Sequence, residues 1–523
     1  MTGLGALIRL ILRRDRVLLP VWILISAALP AAVAASTARL YPGQAARDAF
    51  THASMNSPAQ LATRGVIHDA SVGGLTAWTL GSSGALIGGL VSILLVIRHT
   101  RAEEETGRRD LLSSGVVGRH APLAAALAVV LAANLLLGLL GVPGLVAAGL
   151  PAGSSLLFGL STAASGWCLA AVAAVAAQLT TGSGTARGLA IATAGALFAL
   201  RSLADTGGAA WLAWLTPFGW TRLTRPYGGD HWWVLALPVV FVVAAGAAAF
   251  ALSARRDLAA GLLPTRAGPA EGTLGGAFAL AGRLHRGTLT GFAVGFALVG
   301  GLIGFSARGL DAQLDTQALR GLAETIGGPG ARISDVFFTF ILYVMSQLVA
   351  GAALVSALRA RGEEAAGRAD LLLLAPVGRL RWALGHLFYA VFGPALLLAL
   401  LGGVAGLAYD GGVLRVAGAT LAYLPAVWTV VGVAVLLFGL LPRLAAVVSW
   451  SVLGLILAVD LVAEFKLAGG FVLELSPFVH VPALLLGRGA APVAALAGLS
   501  VVAAALAAAG LVLLRRRDLA PSS

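Results

Sequence analysis

Residues 101–119 read RAEEETGRRDLLSSGVVGR, and residues 361–379 read RGEEAAGRADLLLLAPVGR. The two stretches align without a gap at a shift of 260, and 11 of 19 positions are identical. The identities are Arg101/Arg361, Glu103/Glu363, Glu104/Glu364, Gly107/Gly367, Arg108/Arg368, Asp110/Asp370, Leu111/Leu371, Leu112/Leu372, Val117/Val377, Gly118/Gly378 and Arg119/Arg379. Most are charged or glycine, in a chain that is only 11% charged, so composition does not account for them. The same shift aligns Leu215-Thr216-Pro217-Phe218 with Leu475-Ser476-Pro477-Phe478, and a shift of 261 aligns Arg256-Asp257-Leu258 with Arg517-Asp518-Leu519. The repeat therefore runs the length of each half of the chain.

Around these charged stretches the chain is apolar. Its 523 residues are 59% hydrophobic, with a mean hydropathy of +0.91. A soluble protein carries about 25% charge, so this chain has too little polar surface to face water on all sides. Spans of about 20 apolar residues fall at about 17–38, 77–97, 121–150, 154–180, 186–204 and 232–253. A second set falls at about 288–306, 336–358, 382–408, 415–441, 444–466 and 490–514. The expected fold is an all-α polytopic membrane protein of about 12 transmembrane helices, arranged as two parallel six-helix repeats. The halves are 1–254 and 287–523, joined by a cytoplasmic linker over 255–286. Short gaps such as 151–153 are compatible with re-entrant breaks.

The formal net charge is +13, nearly all of the basic residues are arginine, and Lys466 is the sole lysine. In so apolar a chain this balance reads as loops kept inside the cell and not as a nucleic-acid surface. With the amino terminus inside, 24 of the 36 basic residues fall on inside segments, which places both termini in the cytoplasm. The first apolar stretch runs straight into further spans and reads as a signal anchor, not a cleaved leader. Five tryptophans, Trp211, Trp214, Trp220, Trp232 and Trp233, crowd the outer segment 205–233, as an interfacial belt does. Longer outer loops at about 39–76 and 307–335 contain helix-like stretches, Ala45–Ala53 and Asp311–Glu324, and read as surface caps. Leu4–Arg16 reads either as an amphipathic helix lying in the inner interface or as a short basic flank.

The repeated loop follows the second span of each half. Glu104 with Arg108, Glu105 with Arg109 and Glu364 with Arg368 stand at i,i+4 in the favourable order, which supports a short helix in each copy. One such loop is explained as a solvated turn. Two in matched positions have the form needed to engage a two-fold symmetric soluble partner. Glu103, Glu104, Glu105, Gly107, Arg108 and Asp110 are the docking candidates in the first copy, and Glu363, Glu364, Gly367, Arg368 and Asp370 in the second.

The spacing Glu103-Glu104-Glu105-Thr106-Gly107, Asp110, Leu111-Leu112, with Leu374-Ala375-Pro376-Val377 closing the second copy, resembles the ABC-2 type of ABC transporter permease. Gly73-Gly74-Leu75-Thr76-Ala77-Trp78, Thr216-Pro217-Phe218-Gly219-Trp220, Arg225-Pro226-Tyr227 and Asp230-His231-Trp232-Trp233 resemble its fused-halves branch, the polyketide antibiotic exporters of the tetronasin type. Arg108 and Arg368 depart from the threonine more usual in the wider family. The resemblance implies a permease of the bacterial cytoplasmic (inner) membrane that exports hydrophobic or amphipathic small molecules. It also implies that the repeated loops are coupling helices for a separate ABC ATPase, present in two copies.

No Gly-x4-Gly-Lys-Ser/Thr phosphate loop exists on the chain, so ATP and Mg belong on that partner and no cofactor is expected here. One cysteine, Cys168, and eight scattered histidines offer no catalytic pair and no metal site. The rival reading is an ion-coupled secondary transporter of two times six helices. Its intramembrane candidates are Asp460 and Glu464, with Arg201 at the matching level of the first half. A membrane-embedded transferase would need a compact acidic pair, which Asp48, Asp69, Asp311, Asp315 and Asp335 do not form.

Overall fold

A computed structural model of the protein describes residues 2–56, 58–105, 107, 117–206, 210–256, 261–262, 275–308, 324, 328, 330, 332–374, 377–409, 412–464, 474–486 and 492–517. The expected helix Asp311–Glu324 lies outside them except for its last residue. Among the described residues every regular element is helical, as a bilayer core without water requires of a spanning backbone.

Two compact units divide the chain, Met1–Gly268 and Pro269–Ser523. The first contains α1 (Leu4–Arg14), α2 (Leu18–Leu40), α3 (Gln44–Met55), α4 (Pro58–Arg64), α5 (Val72–His99), α6 (Arg101–Glu105), α7 (Ala121–Ala147), α8 (Ala152–Leu179), α9 (Ser183–Thr206), α10 (Pro217–Leu223) and α11 (Ala236–Arg255). The second contains α12 (Ala277–Ala307), α13 (Ile333–Ala357), α14 (Arg359–Ala365), α15 (Arg368–Leu373), α16 (Arg379–Ala408), α17 (Val413–Leu421), α18 (Leu424–Leu440), α19 (Ala445–Glu464) and α20 (Pro492–Arg516).

Among the described residues, 11 helices are long and apolar enough to cross a membrane, where about 12 were expected. The remaining apolar helix, α19, runs over Ala445–Glu464, with side chains described only as far as Asp460. The break expected at 151–153 falls at 148–151 and separates two full helices, α7 and α8, instead of interrupting one. Helix α12 begins at Ala277, so the last third of the expected linker is already helical and carries Arg283, His285 and Arg286 toward one end of a long span.

Packing repeats between the units even where the sequence does not. The first span lies on the third, α2 on α7 and α12 on α16; the second lies on the fourth, α5 on α8 and α13 on α18. The sixth lies on the fourth, α11 on α8 and α20 on α18. The buried faces are mostly Ala, Leu and Val with scattered small polar residues. Hydroxyl groups such as Ser92 and Thr420 return their protons to carbonyls one turn back, which keeps them compatible with an apolar surround.

Helix α1 settles the two readings of the amino-terminal stretch: it is a helix laid against α7, with Leu7 and Ile11 buried. Outside the membrane-length helices, α3 and α4 form the cap expected over 39–76. Phe50 of α3 lies between Tyr41 and Trp78, with ring centroids 4.6 and 5.9 Å away.

Helix crossings depend on small residues. At the α7–α8 crossing, a Cβ on Gly138 or on Gly159 would stand 2.4 Å from the other residue's carbonyl oxygen. In lipid, helices associate through this kind of close approach and not through hydrophobic transfer. Replacing Gly138 by Val should therefore force the helices apart at a cost of about 1–3 kcal/mol. Gly246→Ala, where nothing lies within 4 Å, should be silent. Thermal unfolding of the two variants in one detergent measures the contrast, and equal melting temperatures would refute it.

Candidate functional site

Helix α5 leads into the repeated loop. After the single turn of α6, Gly107 takes φ +70° and its N–H bonds Glu104 O at 3.1 Å. In the second unit Gly367 takes φ +68° and bonds Glu364 O at 3.0 Å. Both glycines close a helix in the left-handed conformation that a side chain resists, which explains their place in the repeat.

Each closed turn aims one glutamate inward. The Glu104 carboxylate is buried and takes two hydrogen bonds from Arg256, Nη2 to Oε1 at 2.7 Å and Nη1 to Oε2 at 2.9 Å. Arg101 Nη1 donates to the same Oε2 at 2.7 Å, while its Nε donates to Thr181 O at 2.7 Å. In the second unit Arg517 holds Glu364 in the same two-pronged way, at 2.8 and 2.8 Å, and Arg361 Nε donates to Pro442 O at 2.6 Å. The far end of the loop grips the same arginine from behind. Arg119 donates to Ser253 O at 3.1 Å and to Arg256 O, and Arg379 donates to Arg517 O at 2.9 Å.

Each half thus closes a clamp in which the loop, through one glutamate and one arginine, holds the end of the sixth span. Behind the clamp the copies differ. Gln178 Oε1 accepts from Arg256 Nε at 2.7 Å, whereas the Arg517 guanidinium lies over the Phe438 ring at 5.1 Å.

The other glutamates also hold parts of their own unit. Glu103 pairs with Arg14 of α1, and Glu105 accepts from Ser183 N at 3.0 Å, at the positive end of α9. Asp15, just past α1, meets His99 at 2.5 Å and Arg98 at 3.0 Å. Glu363 is buried and bonded by Arg368, at 2.7 Å from Nε and 3.2 Å from Nη2.

The i,i+4 pair expected between Glu364 and Arg368 is therefore not the one formed. Gly367 interrupts the helix between α14 and α15, so four residues no longer measure one turn. Arg108, Arg109 and Asp110 lie outside the described residues.

The outward surface of the second loop is of another kind. Ala369 is buried, whereas Leu371 is 72% exposed and Leu374 85% exposed, with Arg368 and Asp370 beside them. Sequence reasoning took the acidic residues as docking candidates, but Glu104, Glu363 and Glu364 are buried, while Leu371 and Leu374 are exposed and Leu372 packs partly against the core.

The three intramembrane candidates lie elsewhere. Asp460 Oδ2 accepts from Gln347 at 2.5 Å and Ser476 at 3.1 Å. Arg201 is fully buried. It pairs with Asp205 at 3.1 Å and donates to the carbonyls of Ala62 and Thr63 at 2.9 and 3.0 Å, pinning the end of α4 to α9. Glu464 closes α19, and its side chain is outside the described residues.

Sequence reasoning missed the role of Arg256 and Arg517, which it used only to mark the ends of the halves. It also missed a matched pair of indoles, Trp167 donating to Leu131 O and Trp428 to Val391 O, both at 2.9 Å. A shift of 261 between Trp167 and Trp428 was the available signal.

Removing one partner of a buried, doubly bonded ion pair leaves the other uncompensated, at a cost of about 3–5 kcal/mol. Glu364→Ala and Arg517→Met should each lose stability on that scale, and the double variant should lose less than the sum. A double-mutant cycle read by denaturation in detergent gives the coupling, and additive losses would contradict the clamp.

Residues 274–515 match the family described as the C-terminal domain of multidrug efflux system permease Rv1217c. Over 528 aligned residues the chain is 40% identical to the multidrug efflux system permease protein Rv1217c of Mycobacterium tuberculosis (strain ATCC 25618 / H37Rv). The alignment covers 99% of this chain and 95% of that protein. With both halves and both repeated loops inside that alignment, the chain belongs to the Rv1217c family of multi-pass membrane permeases.

Proposed function

We propose that this chain is the transmembrane subunit of an ATP-driven exporter of hydrophobic or amphipathic small molecules, such as drugs or polyketide-type antibiotics. A separate ABC ATPase, in two copies, hydrolyses ATP with Mg and docks on the two repeated loops. The reading places the chain in the bacterial cytoplasmic membrane with both termini inside. It draws on the relative's description as a multidrug efflux permease and on the sequence resemblance to ABC-2 permeases.

The observation that carries the mechanism is the duplicated clamp. A docking element must be stiffly joined to the helices it moves. Each loop continues from the second span, leads into the third, and is bonded to the end of the sixth through Glu104–Arg256 or Glu364–Arg517. Arg101 and Arg361 add a bond to the connection between the fourth span and the next helix. A push on the loop therefore moves several spans as one body.

The exposed Leu371 and Leu374 supply the apolar centre of the docking face, with Arg368 and Asp370 at its rim. The charges in the clamp give the loop its shape, and the leucines give it its adhesion.

Co-expression with a candidate ABC ATPase tests the division of labour. Leu371→Glu with Leu374→Glu should abolish co-purification and drug resistance while leaving the permease monodisperse and its melting temperature within about 2 °C, as for surface changes generally. If the ATPase still co-purifies in full and resistance persists, the docking face is elsewhere. Asp370→Asn should weaken the complex more at low salt than at high salt, because an exposed rim charge is screened.

A further inference from the structure

At the end of α5 opposite the clamp, the first unit opens into a cleft lined by Arg64, His68, Asp69, Trp78, Arg222 and Arg225. The 28 residues of α5 separate this cleft from Glu104 by about 40 Å at 1.5 Å per residue. We propose that the cleft is a binding site for the anionic group of an amphiphile, a carboxylate or phosphate carried on an apolar body.

The cations of the cleft are not all used by the fold. Arg222 is; it pairs with Asp205, which also takes Arg201, and this knot secures α9, α10 and the turn at Gly65. Arg64 and Arg225 take no part in that knot. Among the described residues neither guanidinium has a carboxylate or hydrogen-bond partner; Arg64 lies over the Trp78 ring at 4.9 Å. The Nε donors of Arg222 and Arg225 are buried and lack acceptors among the described residues.

One oxygen of the Asp69 carboxylate, Oδ1, accepts from Ser71 N at 2.8 Å in its own turn. His68 is pushed down to about 4 by burial, then by the charges of Arg225 and Arg222 and by His231. It is neutral at pH 7, so the positive charge of the cleft is carried by guanidinium groups.

The backbone that presents Arg225 is strained and held. Arg225, Tyr227 and Asp230 have φ of +46°, +65° and +46°, a region side chains rarely occupy without a reason. Asp230 clasps the turn, accepting from Tyr227 N at 2.9 Å and from Ser154 Oγ at 2.5 Å, while Tyr227 Oη meets Ser155 Oγ at 2.9 Å. The result is a rigid loop that delivers an unpaired cation to a cleft.

The duplication supplies a control within the molecule. In the frame set by Thr216-Pro217-Phe218 and Ser476-Pro477-Phe478, Arg222 and Arg225 correspond to Pro482 and Leu485. The clamp occurs in both halves and these cations in one, so the helical architecture does not require them.

Depth argues for an amphiphile over a free inorganic ion. Trp211 and Trp233 are 64% and 61% exposed and lie on the short segments flanking α10, at the end of the unit where the cleft opens. Exposed tryptophans mark the level of lipid headgroups, and Trp78 and Phe158 give the cleft an aromatic wall. The assignment concerns binding alone and does not depend on the ATPase reading.

The full chain in phosphatidylcholine nanodiscs, without ATPase, tests it through tryptophan fluorescence titration. The probes are 2-naphthoate, its uncharged amide, and short-chain phosphatidic acid against short-chain phosphatidylcholine. Naphthoate or phosphatidic acid should saturate the signal, and their uncharged or zwitterionic counterparts should not. Naphthoate alone identifies a cargo-like carboxylate, phosphatidic acid alone a lipid headgroup, and both together the shared anion site. Arg64→Gln with Arg225→Gln should weaken binding at least tenfold. Should that variant not fold, wild-type affinity must still fall steeply between 50 and about 500 mM salt, as screening requires. Equal binding of naphthoate and its amide, no binding of either anion, or unchanged affinity in the folded double variant would overturn the proposal.

Discussion

A buried carboxylate gripped by a guanidinium at two points is the constraint from which the two halves are built. Glu104 with Arg256, and Glu364 with Arg517, bring a charged loop against the last turn of a distant span. The pair adds little net stability, because desolvating two charges offsets most of their attraction. Its effect is on geometry. Two parallel hydrogen bonds fix distance and orientation together, and Arg119 or Arg379 closes the ring from the carbonyl side. Gly107 and Gly367 turn the chain so that the glutamate reaches inward. Without that turn the glutamate would not face its arginine.

In membrane helices packing is weakly selective, since lipid and side chains are alike apolar. Selectivity has to come from close approach and from polar groups at the ends. The Gly138–Gly159 crossing supplies the first, and the clamps supply the second. Both are at once economical in charge and demanding in position. This is why a chain with so little charge spends much of it in two short loops.

The halves diverge where the clamp no longer constrains them. Behind Arg256 stands Gln178; behind Arg517 stands Phe438. At the other end of α5 the first unit gathers arginines, whereas the second sets Asp460 among Gln347 and Ser476. Duplication preserved the clamp, and the opposite ends of the two units differ.

The sequence by itself determined the membrane class, most of the apolar spans and the position of the repeated loops, because hydropathy and a phase-locked repeat are local properties of the chain. It also picked out nearly every residue of the clamp by identity alone. It could not tell which way they faced. Charge in a loop suggests exposure to water, yet Glu104 and Glu364 are inside and Leu371 and Leu374 outside. Arg368 does not reach Glu364, because a left-handed glycine between α14 and α15 removes the helical period that the four-residue spacing assumed. Arg256 and Arg517 lie some 150 residues from their partners, a separation that no local period encodes. Tertiary structure alone decided those pairings, because a buried charge selects its partner by distance in space.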